Sequence, residues 1–224
     1  MKKTLLAIAL LSSFSNAAVA NQAGDFLVRG GLTMVSPDSG KTPILLGGSA
    51  DNGMSLTVDD NTQLGLNFVY FLDSNWAIEL LAATPFTHDV TLQDPKGTLQ
   101  ADGIKLAEVS HLPPTLSALY YFDTGTSLKP YVGVGLNYTI FFDEKFESAP
   151  TALSLSNLEL DGSFGYSVQV GADYHINDKW HVNASVRYMD INSDATFDVG
   201  GDSIGSASID IDPMVYSIML GYKF

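Results

Sequence analysis

The sequence predicts an all-β fold, an eight-stranded antiparallel up-and-down transmembrane β-barrel. Three observations predict it. Eight segments alternate apolar and polar residues with a period of two. The connections between them alternate short and long. One face of the alternation is apolar throughout, with aromatic residues at its ends, as a lipid-facing band with its girdles requires.

The elements follow in chain order. Met1-Lys2-Lys3 opens the chain, an apolar run follows from Leu5 to Leu11, and small residues end at Ala18-Val19-Ala20. A basic start, a short apolar stretch and an A-x-A-like site make residues 1–20 a cleaved signal peptide. Residues 21–224 then form one outer-membrane β-barrel domain of 204 residues. The chain has no cysteine, so a closed hydrogen-bond ladder must supply its stability outside the reducing cytoplasm. The expected strands are Gly24–Ser36, Thr62–Leu72, Trp76–Phe86, Pro114–Phe122, Pro130–Phe142, Phe164–Ile176, Trp180–Ile191 and Ile211–Phe224. Short links at 73–75, 123–129 and 177–179 fall at the periplasmic end. Long connections at 37–61, 87–113, 143–163 and 192–210 fall at the outer end.

The faces decide between a membrane barrel and a soluble one. One row reads Tyr166, Val168, Val170, Ala172, Tyr174, Ile176, and the last strand reads Tyr216, Ile218, Leu220, Tyr222, Phe224. The opposite faces carry Ser167, Gln169, Gly171 and Asp173, then His181, Asn183, Ser185 and Arg187. A soluble barrel shows water many Lys and Glu. This polar face is mostly small and neutral, which suits a narrow interior. Phe224 closes the last outward row, the kind of terminal signal that barrel assembly machinery reads.

Several segments are similar to one known family. They include Asn61-Thr62-Gln63-Leu64-Gly65-Leu66, the run from Glu79 to Phe86, and His111-Leu112-Pro113-Pro114-Thr115-Leu116. Lys129-Pro130-Tyr131-Val132-Gly133-Val134-Gly135-Leu136-Asn137-Tyr138, Tyr188-Met189-Asp190-Ile191 and the Gly221-Tyr222-Lys223-Phe224 ending complete the set. In order over nearly the whole mature chain, they resemble the outer-membrane protein W (OmpW) family. The resemblance implies a narrow, largely hydrophobic channel through which small hydrophobic molecules cross the outer membrane. Some members serve as phage or bacteriocin receptors, so a structural or receptor barrel with a filled lumen is the alternative.

Strand direction places the inward residues by height. Arg29, Glu79, Asp173, His175, His181, Tyr121, Tyr131 and Lys223 fall low, with Arg187 near mid-height. Opposite charges in a tight space pair, because an unpaired buried charge is expensive. Arg29, Glu79, Asp173, Arg187 and Lys223 therefore read as an ionic plug; the competing reading is acid–base chemistry by a carboxylate with His175 or His181. Higher up, Val35, Leu81, Phe141, Met189, Val215 and Met219 are apolar and read either as a pocket for a greasy solute or as core packing. Pro85, Pro113 and Pro114 fall at the outer ends of the third and fourth strands. Proline donates no ladder hydrogen bond, so these residues either weaken one seam for lateral exit into the membrane or simply end pairing.

The remaining expectations concern charge and partners. The net charge of −14 becomes −16 once Lys2 and Lys3 are removed, which excludes nucleic acid as a partner. By the strand map, 19 of the 25 acidic residues lie on the outer side. That makes a solvated surface, or one bridged by divalent cations to lipopolysaccharide phosphates. The expected surroundings are outer-membrane lipid and lipopolysaccharide. No phosphate loop, zinc spacing or nucleophile elbow appears, so neither cofactor, resident metal nor enzymatic activity is expected.

Overall fold

The computed structural model describes residues 21–38, 42–43, 45–46, 54–97, 100–147 and 154–224. The expected signal peptide lies outside the described residues. Sixteen strands appear among those described: β1 (Phe26–Ser36), β2 (Thr42–Pro43), β3 (Leu45–Leu46), β4 (Ser55–Val58), β5 (Asn61–Phe71), β6 (Trp76–Ala83), β7 (Phe86–Gln93), β8 (Lys105–Leu112), β9 (Thr115–Tyr121), β10 (Leu128–Phe146), β11 (Leu155–Leu160), β12 (Ser163–His175), β13 (Trp180–Met189), β14 (Asn192–Val199), β15 (Asp202–Asp210) and β16 (Met214–Lys223).

Eight of them form the barrel, in the order β1-β5-β6-β9-β10-β12-β13-β16. The sheet closes where β16 meets β1, with Leu27 opposite Lys223 and Val35 opposite Val215. Every neighbouring pair is antiparallel. Closure leaves no edge strand, which is what a sheet needs in hydrocarbon. The period-two pattern has the expected parity. Leu32, Leu64, Leu66, Ile78, Leu80, Leu116, Val134, Val170 and Ile218 are exposed on the outer wall. Trp76, Phe122, Trp180 and Phe224 ring the periplasmic end, and Tyr138, Phe164, Tyr166 and Tyr216 ring the other.

The periplasmic turns show how local chemistry fixes register. Asp73 Oδ1 accepts from the backbone N–H groups of Asn75 and Trp76, both at 2.7 Å. Asn177 Oδ1 does the same for Lys179 and Trp180, both at 2.9 Å. Each is an Asx turn that delivers a tryptophan to the membrane interface.

The outer connections differ from the expectation of long loops. β7 and β8 form a hairpin above β6 and β9, and β14 with β15 forms another above β13 and β16. The hairpin β7–β8 joins β2, β4 and the upper half of β10 in one sheet. β11, β14, β15 and β3 make a second. Residues Phe86–Gln93 alternate buried and half-buried side chains along the whole strand. This is the same period-two signal that marks the membrane strands, continued above the outer aromatic ring.

Candidate functional site

The barrel interior is layered, and strand parity assigns each layer its residues. Lowest is an apolar cluster of Leu27, Val69, Phe71, Ala77 and Leu119, packed with Tyr121 and Tyr131. Above it lies a polar network centred on Arg29, Glu79 and Asp173, each with 0% of its surface exposed. Arg29 Nη1 donates to Glu79 Oε2 at 3.2 Å and Nη2 to Asp173 Oδ2 at 2.6 Å. The same guanidinium bonds the Tyr121 hydroxyl, donates to His181 Nε2 at 3.2 Å and lies over the Tyr131 ring. Arg187 pairs with Glu79 Oε1 and donates to Gln169 Oε1 at 2.8 Å.

The carboxylates are saturated. Glu79 also accepts from Asn67 Nδ2 at 3.0 Å and Gln169 Nε2 at 2.9 Å. Asp173 also accepts from Asn183 Nδ2 at 2.7 Å and the Tyr121 hydroxyl at 3.2 Å. Two cations face two anions, so the layer is neutral, and every carboxylate oxygen has a donor. Small residues make the room. A Cβ on Gly221 would run into the His181 ring, and one on Gly171 into the Tyr131 hydroxyl. Lys223 lies elsewhere: its Nζ donates to Asp25 Oδ2 at 3.0 Å, and both side chains are partly exposed at the periplasmic rim. The last residues of β16 stand below the level of Arg29, too far down for a lysine to join the network.

Above the network the character changes. A slot of about 10 Å³ is lined by Thr33, Val35, Leu81, Ala83, Phe86, Pro113, Met189 and Val215. Met219 is buried beside Gly65 and lines neither this slot nor the space above it. The slot abuts an interruption in the wall. The β6–β9 ladder stops at Leu81 opposite Thr115, and the β7–β8 ladder starts at Phe86 opposite His111. Pro85, Pro113 and Pro114 occupy the interval. Its two edges bond outward instead: Thr84 N–H to Leu64 O at 2.9 Å, and Tyr138 N–H to Pro114 O at 3.1 Å.

Higher still, the two outer sheets enclose a cavity of about 100 Å³. Leu56, Val90, Leu106, Val109, Phe141 and Phe197 are among its walls. Of the residues expected in an upper lumen pocket, Phe141 belongs here, while Val35, Leu81, Met189 and Val215 line the slot below. Stacked rings separate the two spaces. Phe86 lies 5.6 Å from His111, His111 lies 5.0 Å from His88, and Phe141 lies 5.9 Å from His111 between centroids. Burial pushes the His111 imidazolium down to about 3, and the neighbouring His88 adds to the shift. Burial lowers His88 as well, against the pull of Asp59. Both rings are neutral at ordinary pH. Among the described residues no group of three His, Asp or Glu is placed to hold a metal ion.

The sequence reading missed the outer cavity. Its signal was the alternation Phe86, His88, Val90, Leu92, hidden because turn-forming residues flank it and Thr, Asp and Gln fill the other face.

Comparison with known proteins places this architecture. The OmpW family profile matches residues 22–224. Outer membrane protein W of Vibrio cholerae is 43% identical over 226 residues, spanning 100% of both chains. The crystal structure of outer membrane protein OprG from Pseudomonas aeruginosa superposes with a TM-score of 0.83 at 39% identity, over 92% of this chain and 99% of that one. The dibenzothiophene metabolism operon protein DoxH of Pseudomonas sp. is 28% identical over 194 residues, 87% of this chain and 86% of DoxH.

Proposed function

The chain belongs to the OmpW family and is an outer-membrane barrel, and we propose that it admits small hydrophobic molecules from outside and releases them sideways into the membrane. The observation that carries this reading is the stacking order of the interior. An apolar cavity opens above a slot, the slot abuts an unpaired seam, and a sealed layer lies beneath. Arg29, Glu79 and Asp173 are fully buried, which supports an axis closed at that level.

Each layer then has a task. The outer cavity removes an apolar solute from water, worth about 25 cal/mol per Å² of apolar surface covered. The ring stack of Phe86, His111 and Phe141 is the partition to be crossed. The seam at Pro85, Pro113 and Pro114 lacks cross-strand bonds between its two edges, so opening it breaks no ladder. Support of a weaker kind comes from DoxH, whose name ties that relative to the metabolism of an apolar tricyclic compound. Saturated carboxylates favour a structural plug over acid–base chemistry, because neither Glu79 nor Asp173 has a free oxygen to take a proton from a substrate. The acidic outer surface is read as a partner for lipopolysaccharide through divalent cations, and Phe224 as the residue met by barrel assembly machinery.

The test is uptake of an apolar fluorophore into vesicles carrying the purified barrel. Alanine at Pro85, Pro113 and Pro114 together is expected to lower uptake several-fold, because restored N–H donors let the seam pair. Unchanged uptake would overturn lateral exit. An increase of ionic conductance in step with uptake would favour passage along the axis instead.

A further inference from the structure

The outer cavity is lined mainly by apolar side chains, with Asp38 and Asp210 and a pair of histidines as its polar members. His88 and His111 stand side by side in its wall, with rings nearly parallel at 18° and both side chains almost fully buried. His88 Nδ1 lies 2.6 Å from the backbone oxygen of Asp59. A carbonyl can only accept, so Nδ1 carries the proton, and in the neutral ring Nε2 is a bare acceptor. That Nε2 is buried without a hydrogen-bond partner, as is His111 Nδ1, so a ligand's donor reaches it when the ring pair shifts toward the cavity. Buried polar atoms nearly always find partners, and the exceptions call for an explanation.

We infer that the outer cavity is a binding site for apolar molecules ending in an uncharged hydroxyl, and that His88 Nε2 accepts the hydrogen bond from that hydroxyl. The inference deepens the channel reading above and rests on it. Three observations select the head group. The free atom on His88 is an acceptor, so the ligand must bring an O–H or N–H donor. Asp38, Asp59 and Asp210 lie along or beside the cavity, so a carboxylate would meet like charge. The remaining wall is aliphatic and aromatic, so an ionic head of either sign would lose its hydration with only partial return. Size selects the body. A water needs roughly 10–15 Å³ on the same measure, so about 100 Å³ takes a molecule of roughly ten heavy atoms. His111 acts as a positioning residue: its ring holds the His88 plane by stacking.

The test uses 2-naphthol and naphthalene as a matched pair, with 2-naphthoate as the anionic control. Binding to the full barrel in lipid nanodiscs is measured by equilibrium dialysis against empty nanodiscs. The wild type is expected to hold 2-naphthol about tenfold more tightly than naphthalene, and 2-naphthoate no better than naphthalene. His88→Phe keeps a ring in the stack but removes the acceptor, and is expected to bring the naphthol preference, read as the ratio of the two affinities in the same variant, to about unity. In wild type, the ¹⁵N resonance of His88 Nε2 should move with 2-naphthol and stay fixed with naphthalene, a readout that stands even where the variant does not fold. A preference that survives His88→Phe, or a resonance indifferent to both ligands, overturns the assignment of His88. Naphthalene binding without any naphthol preference overturns the head-group inference and leaves the channel reading intact. Failure of the wild type to bind either neutral compound overturns both.

Discussion

The lower lumen and the outer cavity are made from the same alternating strands, yet they solve opposite problems. In the lower lumen Arg29, Arg187, Glu79 and Asp173 neutralise one another, and every carboxylate oxygen is occupied. In the outer cavity the walls are apolar, and two imidazole nitrogens are left without partners. The first arrangement is packed solid and has a great deal to lose if one partner is removed, although His181 Nδ1, Asn183 Oδ1 and Arg187 Nη1 within it also lack a partner. The second surrounds a space that its own side chains do not fill. The contrast teaches that filling, rather than charge alone, separates a seal from a site.

The comparison can be broken most severely in the plug. Glu79→Ala removes the carboxylate paired with Arg187 and one of the two paired with Arg29, all buried, and should cost about 3–5 kcal/mol of barrel stability. Urea unfolding in lipid vesicles measures it, and a loss below about 1 kcal/mol would mean that the network is not a closed unit. Next comes the cavity. Val109→Asp places a carboxylate in its buried apolar wall and should lower uptake of an apolar fluorophore about tenfold and loosen the outer hairpins, read as faster proteolysis of residues 86–112, at a smaller cost to the urea midpoint than Glu79→Ala. If the urea midpoint fell as far as in Glu79→Ala, the two regions would not be independent.

A smaller effect is expected from pH. The folded His111 is held down to about 3, while an unfolded histidine titrates near 6.5. The unfolded state therefore binds the extra proton between these values. The stability that His111 lends the outer hairpins is fully present above about pH 6.5 and drains as pH falls toward 3, by up to about 1.4 kcal/mol per unit. Proteolysis of residues 86–112 should accelerate across that window in wild type and much less in His111→Phe. The smallest effect belongs to Lys223→Ala. Its ion pair with Asp25 is partly exposed at the rim, so the change should cost at most about 1 kcal/mol. A cost near that of Glu79→Ala would put Lys223 back in the plug.

The sequence by itself determined the barrel, its strand parity and its membrane band. These depend on a property of each strand alone: neighbouring side chains point to opposite faces, so a run such as Tyr216, Ile218, Leu220 and Tyr222 declares its own environment. It also determined that charge would meet charge low in the lumen, because an unpaired ion there is prohibitive. Only the tertiary structure decided which charges meet. Arg187 reaches Glu79 across 108 residues of sequence, and Lys223 misses the network altogether. Such pairings depend on the stagger between strands around the closed sheet, which no single strand encodes. The same holds for the outer cavity. The alternation of Phe86, His88, Val90 and Leu92 shows that one face is buried, but not what it is buried against. That was decided when the two outer sheets came together above the barrel and left their inner faces around an unfilled space.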